Sequence, residues 1–272
     1  MTAASPAPTA DALLLRDTID AIAVLTLNRP QARNSLSEAL LRALEVELIA
    51  IVADASVRAV VITGNGPVFS AGHDLKELTA HRSDGDRGRS YFAQIMRLCS
   101  DVMLQIVHLP QPVIAAVQGT ATAAGCQLVA SCDLAVASAA ARFATPGVNI
   151  GLFCSTPMVA LTRNVPRKHA MAMLMTGDAI SAEDAARIGL VNEVVPAGTE
   201  RDAALALAHR IAAKSRHVVK IGKKAFYRQI DMDLTQAYDY AAEVMVENMM
   251  ARDSAEGIAA FIEKRSAKWE DR

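Results

Sequence analysis

The sequence predicts an α/β protein assembled from strand–strand–helix units and closed by a helical C-terminal third. Two observations carry this. A short apolar run, a glycine-bearing turn and a helical pattern follow one another twice, at 58–80 and 112–131, and from Thr199 onward apolar residues recur at helical spacing. A chain of 272 residues can bury a core of that size.

Taken in order, Ala12 to Arg16 and Ala21 to Leu27 are short apolar or β-branched runs that read as a hairpin, separated by Asp17, Thr18 and Asp20 and ended by Asn28-Arg29-Pro30. Ser37 then precedes a periodic run through Leu40, Leu41, Leu44, Leu48 and Ile51, an amphipathic helix with a side-chain cap at its start. Arg58 to Thr63 is a strand broken by Gly64-Asn65-Gly66-Pro67, and a helix start follows at Asp74-Leu75-Lys76. The polar segment from His81 to Ser90 suggests a mobile loop over a pocket, and Tyr91 to His108 a long apolar-striped helix. Val113 to Val117 suits a buried strand, closed by Gln118-Gly119, and Ala123-Ala124-Gly125 opens a helix carrying Leu128 and Val129. Ser155–Arg163 and Arg167–Met175 read as short helices, Ser181 caps another, and Gly189 to Pro196 turns into a strand. The expected organisation is a disordered lead at 1–10, a core over 11–198 and a helical region over 199–272.

Charge and composition narrow the function classes. The 28 basic and 29 acidic residues nearly cancel, and no basic stripe with interleaved aromatics occurs, so a nucleic-acid partner is not expected. Cys99, Cys126, Cys132 and Cys154 lack zinc-ligand spacing and read as buried small hydrophobes in a reducing compartment. The first ten residues show neither a secretory apolar core nor an Arg-rich transit pattern, and no apolar run reaches the roughly 18 residues of a membrane span. The expected location is cytoplasmic, with an organelle matrix left open.

The chemistry is expected at the two strand-to-helix junctions. Small residues there, Ala71-Gly72 and Ala123-Ala124-Gly125, let other atoms approach the backbone closely. The free N–H groups and dipole of a helix start favour a developing negative charge, which is what an oxyanion hole requires. His73 is read for its main chain rather than its ring, because no partner for the ring is identified.

These residues resemble the crotonase, or enoyl-CoA hydratase/isomerase, superfamily over six collinear blocks: 25–37, 64–78, 112–138, 141–153, 176–195 and 256–265. The resemblance implies a spiral of ββα units, a C-terminal helical region used in trimerisation, and a bound acyl-CoA whose thioester carbonyl meets main-chain N–H groups at His73 and Ala124. It places Lys264 against the CoA phosphates, with Arg33 and Lys76 as weaker contributors and Ala71, Asp74 and Leu75 also lining the substrate site. No separate cofactor is implied, since coenzyme A is part of the substrate. A homotrimer or dimer of trimers is expected, also because faces carrying Phe226, Ala237, Val244 and Met245 have no second core of their own.

The departures bear on the reaction. The family's hydratases use two glutamates as an acid/base pair, and their positions correspond here to Gln127 and Gly147. An amide cannot exchange a proton at neutral pH and glycine has no side chain, so hydration is expected to be weak. Asp84, Asp86, Cys154 or an exogenous carboxylate is a candidate replacement. The alternative is a non-catalytic acyl-CoA-binding or scaffold subunit. Restoring both glutamates is expected to recover hydration only if the pocket geometry accepts them.

Overall fold

The computed structural model describes residues 12–272; the expected lead at 1–10 lies outside them. Strands β1 (Leu14–Ile19) and β2 (Ile22–Leu27) form an antiparallel hairpin, and helix α1 (Glu38–Ala53) follows, its first turn capped by the Ser37 hydroxyl accepting from Leu40 N–H. Then come β3 (Ala59–Gly64), β4 (Val68–Ser70), α2 (Leu75–Ala80), α3 (Arg89–His108), β5 (Val113–Val117), β6 (Thr120–Thr122), α4 (Ala124–Ser131), β7 (Leu134–Ser138) and β8 (Arg142–Ala144). Next are α5 (Pro157–Asn164), α6 (Arg167–Thr176), β9 (Ile180–Ser181), α7 (Ala182–Arg187) and β10 (Glu193–Val195), followed by α8 (Glu200–Ala212), α9 (Arg216–Gln229), α10 (Leu234–Met250) and α11 (Arg252–Ile262).

The strands sort into two sheets. One has the order β1-β2-β3-β5-β7-β10, parallel from β2 onward, and the other β4-β6-β8-β9. Each successive turn of chain thus lays one strand in the first sheet, one in the second and then a helix, which is the spiral of ββα units. Alternation along the strands fills two cores. Val60, Ile62, Val113 and Ala115 pack with Leu40, Leu44 and Leu48 of α1, while Ala59, Val61, Ile114 and Ala116 pack with Ala204 and Ala208 of α8.

Two expectations shift. Asp17 and Thr18 belong to β1, where they are exposed on a sheet edge, and the hairpin turns instead at Asp20, whose φ is 53°. The 81–90 segment is held by contacts: His81 Nδ1 lies 2.8 Å from Asp84 Oδ2, its ring stacks on Tyr91 at 3.5 Å, and the Asp86 carboxylate accepts from Gly88 N–H and Ser90 N–H.

Helices α9 to α11 extend beyond the sheets. One link to the core is Lys223, whose ammonium donates to the carbonyls of Ile106 and Gln111 and to Asp133 Oδ2 at 2.6 Å; Tyr227 Oη donates to Asp133 Oδ1. Burial pushes the Asp133 carboxyl up and the Lys223 ammonium down, the effect of enclosing both charges. A cleft of about 330 Å³ beside this pair contains none of the predicted site residues.

Candidate active site

The two junctions meet. After β4 the chain turns through Ala71 and Gly72, and a Cβ at Gly72 would stand 3.1 Å from Ala124 N and 2.9 Å from Ala123 Cβ. With φ at +86°, Gly72 takes a conformation side chains rarely allow, so glycine is needed for both reasons. On the other side, a Cβ at Gly125 would fall 2.3 Å from the Ser70 carbonyl oxygen, so the start of α4 lies against the end of β4.

The main chain at these junctions is committed in a way that leaves donors for other work. Leu36 pairs with His73 in a parallel bridge, made by Leu36 N–H to Gly72 O at 2.8 Å and Asp74 N–H to Leu36 O at 3.4 Å; the His73 N–H is not used by it. Helix α4 has no side-chain cap, so no side chain satisfies its first N–H groups, which begin at Ala124. The residue before it, Ala123, sits at φ 51°, ψ −119°, a strained backbone for a residue with a Cβ. Its N–H donates to Ala144 O at 2.9 Å and its carbonyl accepts from Gln127 N–H at 3.0 Å.

The remaining predicted residues divide. The Arg33 carbonyl accepts from Ala71 N–H at 3.0 Å, which fixes Arg33 beside the first junction with its side chain exposed. Asp74 caps α2, accepting from Lys76 and Glu77 N–H, and pairs with Arg29 at 3.1 Å. Burial pushes its carboxyl up, but the hydrogen bonds from Arg29, Glu77 N–H and Ser35 prevail and hold it below the usual range. Leu75 and Lys76 are exposed on the first turn of α2. Lys264, exposed after α11, makes no hydrogen bond or ion pair with these residues among the described residues. His73 is largely buried, and neither ring nitrogen has a hydrogen-bond partner among the described residues. Burial pushes its pKa down, with the Leu36 main chain opposing.

At and near the two positions that carry no carboxylate, buried polar atoms and a sulfur contact appear that sequence spacing did not reveal. Gln127 is 5% exposed with Oε1 unpartnered among the described residues, and Thr145 is fully buried with Oγ1 likewise unpartnered. The Gly147 N–H donates to Cys154 Sγ at 3.3 Å, and a Cβ at Gly147 would lie 2.9 Å from that sulfur. Cys126, next to Gln127, has its thiol pushed up to about 12 by burial and by the proximity of Cys154. Asp84 and Asp86 are occupied in the 81–90 segment, by His81 and by the start of α3. All four cysteines are free, and among the described residues no cluster of three or more His, Cys, Asp or Glu could hold a metal ion.

A two-sheet ββα spiral whose strand-to-helix junctions pack against one another is the fold of the enoyl-CoA hydratase/isomerase class. The chain belongs to that family: the family model described as Enoyl-CoA hydratase/isomerase matches residues 17–272. Within it, the chain is similar to enoyl-CoA hydratase domain-containing protein 3, mitochondrial, being 50% identical to that of Rattus norvegicus over 92% of this chain and 82% of the relative, and 49% identical to that of Homo sapiens over 92% and 81%. Among solved structures, an enoyl-CoA hydratase from Mycobacterium smegmatis superposes with a TM-score of 0.91 at 52% identity, covering 95% of this chain and 99% of that one. The human domain-containing protein 3 superposes at 0.90 with 47% identity, covering 95% and 100%. The cytoplasmic expectation is overturned by these relatives, which are named mitochondrial; the unpatterned first ten residues are no evidence against an organelle. Among the described residues, no helix is long and apolar enough to cross a membrane.

Proposed function

We propose that this chain is an acyl-CoA enzyme of the enoyl-CoA hydratase type that polarises a thioester carbonyl between the main-chain N–H groups of His73 and Ala124. The observation that supports the reading is the approach of Gly72, the residue before His73, to Ala124 N at the uncapped start of a buried helix. Such donors act where charge develops and need no reorganisation during the reaction. Arg33 and Lys76 lie by the first junction, and with Lys264 they supply cations for the CoA phosphates, while Ala71, Asp74 and Leu75 shape the approach. With an amide at 127 and no side chain at 147, hydration by this site is weak. The same two losses favour the second reading, an acyl-CoA-binding subunit without turnover.

The chain acts as a trimer or a dimer of trimers in this reading. Helices α9 and α10 bury no apolar residue within the single chain, and Phe226, Leu234, Tyr238, Met245 and Met250 are exposed along them. Sedimentation at micromolar concentration is expected to show no stable monomer.

The test is a mass-spectrometric product scan over enoyl-, hydroxyacyl-, malonyl- and aryl-CoA thioesters, run beside binding measurements on the wild type and Ala124→Leu. Binding in the wild type and its loss in the variant support the carbonyl site. Binding without any product selects the non-catalytic reading, and no binding of any thioester removes both.

A further inference from the structure

The first donor of the proposed site stands on main chain that a glycine leaves free to turn. We infer that Arg29 is a positioning residue for this site: its guanidinium staples the bridge between Leu36 and His73 and so fixes the direction of the His73 N–H. The inference rests on the reading of the carbonyl site given above and goes beyond it by naming what holds the donor.

The peptide planes on either side of His73 set the problem. The Gly72 carbonyl and the His73 N–H belong to one planar trans peptide, so they point to opposite sides. Leu36 N–H donates to Gly72 O at 2.8 Å, and the His73 N–H is thereby turned away from Leu36. That plane hinges on Gly72, which has no Cβ to restrict its rotation. The second bond of the bridge, Asp74 N–H to Leu36 O, is long at 3.4 Å. The bridge is also isolated, outside any strand, so no neighbouring rungs of a ladder brace it.

Arg29 supplies the brace. Its Nη1 donates to the Ser35 carbonyl at 2.7 Å and its Nη2 to Asp74 Oδ2 at 3.1 Å, so one planar fork grips the residue before Leu36 and the residue after His73. The Ser35 hydroxyl donates to the same Asp74 oxygen at 3.2 Å and closes the ring. Asp74 Oδ1 meanwhile accepts from Lys76 and Glu77 N–H, which ties the staple to the start of α2. The anchor at the other end is firm: Arg29 N–H donates to Asn34 Oδ1 at 2.8 Å, Asn34 N–H returns to Arg29 O at 2.9 Å, and Asn34 is fully buried. The Arg29 and Asp74 side chains are 17% and 16% exposed, so the pair is little screened by solvent.

The experiment compares Kd for butyryl-CoA with Kd for S-butyl-CoA, the thioether in which a methylene replaces the carbonyl, for the wild type, Arg29→Gln and Arg29→Lys. The two ligands differ nowhere else, so their ratio reads the hold on the carbonyl. The wild type should prefer the thioester. A hydrogen bond of ordinary net strength is worth about 2- to 12-fold in affinity, and Arg29→Gln should cut the preference by such a factor at an unchanged Kd for S-butyl-CoA. Arg29→Lys keeps the charge but has no fork to reach both Ser35 and Asp74, so its preference should fall as well, and it carries the test should Arg29→Gln not fold. A preference as strong in the variants as in the wild type overturns the staple. So does an equal loss of both ligands, which is what a merely structural role would give. A wild type that binds the two ligands alike refutes the carbonyl site itself, and the role of Arg29 with it.

Discussion

Gly147 and Leu152 are locked to one another: Leu152 N–H donates to the Gly147 carbonyl at 2.9 Å, and the Leu152 carbonyl oxygen lies 2.9 Å from where a Cβ at 147 would stand. Any side chain at 147 therefore meets backbone on one side and the Cys154 sulfur on the other. Flexible side chains can yield to such a contact, whereas a carbonyl in a hydrogen-bonded turn cannot do so cheaply. Wild-type hydration of crotonyl-CoA is expected to be at least about 10³-fold slower than in a two-glutamate relative. The Gln127→Glu, Gly147→Glu double variant should recover none of it and should unfold at lower denaturant, by about 1–3 kcal/mol, the usual result of overpacking. Adding Cys154→Ala removes one of the two obstructions and leaves the carbonyl. A double variant that hydrates rapidly at full stability would show that the 152–154 turn moves freely.

Ala123 stores strain at the entrance to α4. A non-glycine residue in so sparsely populated a region costs about 1–3 kcal/mol, while glycine adds up to about 1 kcal/mol of backbone entropy on folding. Relief should exceed that loss at φ 51°, ψ −119°. Ala123→Gly is thus expected to stabilise by about 0.5–2 kcal/mol, read as a raised urea midpoint at constant slope. A lowered midpoint would mean that the Ala123 methyl contributes packing greater than the strain.

The buried pair of Lys223 and Asp133 is expected to be costly to halve. Their side chains are 7% and 15% exposed, and removing one partner strands the other charge. Lys223→Met should destabilise by about 3–5 kcal/mol in chemical denaturation. It should also loosen α9 in hydrogen exchange, because the same ammonium donates to the Ile106 and Gln111 carbonyls. A loss below about 1 kcal/mol would mean that α9 is held chiefly by its apolar contacts.

Much of this fold was legible because its signals are local. Val113–Val117 is apolar throughout since both faces of β5 are covered, and Ser37 and Ser181 announce their helices because a cap needs only residues one turn away. The two junctions were legible for the same reason. Their convergence was not, because the approach of Gly72 to Ala124 N spans more than 50 residues and is set by the pairing of β4 with β6. The Asp133–Lys223 pair is likewise 90 residues apart in the chain. At Ala123 local reading met its limit from the other side: nothing about an alanine advertises a positive φ, which the surrounding β6, β8 and α4 impose.

His73 separates main chain from ring in a way that pH can expose. Burial places its folded-state pKa below the ordinary value of 6.5, the smaller, opposing influence of the Leu36 main chain notwithstanding. Between the two values the unfolded chain holds a proton that the folded protein does not, so stability rises with pH across that interval. The contribution of neutral His73 is fully present above pH 6.5 and is lost as pH falls through the folded-state pKa. Denaturation midpoints measured downward from pH 7 should therefore fall less steeply in His73→Gln than in the wild type. Binding of acyl-CoA at pH 7 should survive the same substitution, because the proposed donor is the main-chain N–H and the bridge with Leu36 does not use it. Unchanged acid sensitivity would show that the buried ring does not resist protonation. Loss of binding with the fold intact would transfer the role from the main chain to the imidazole.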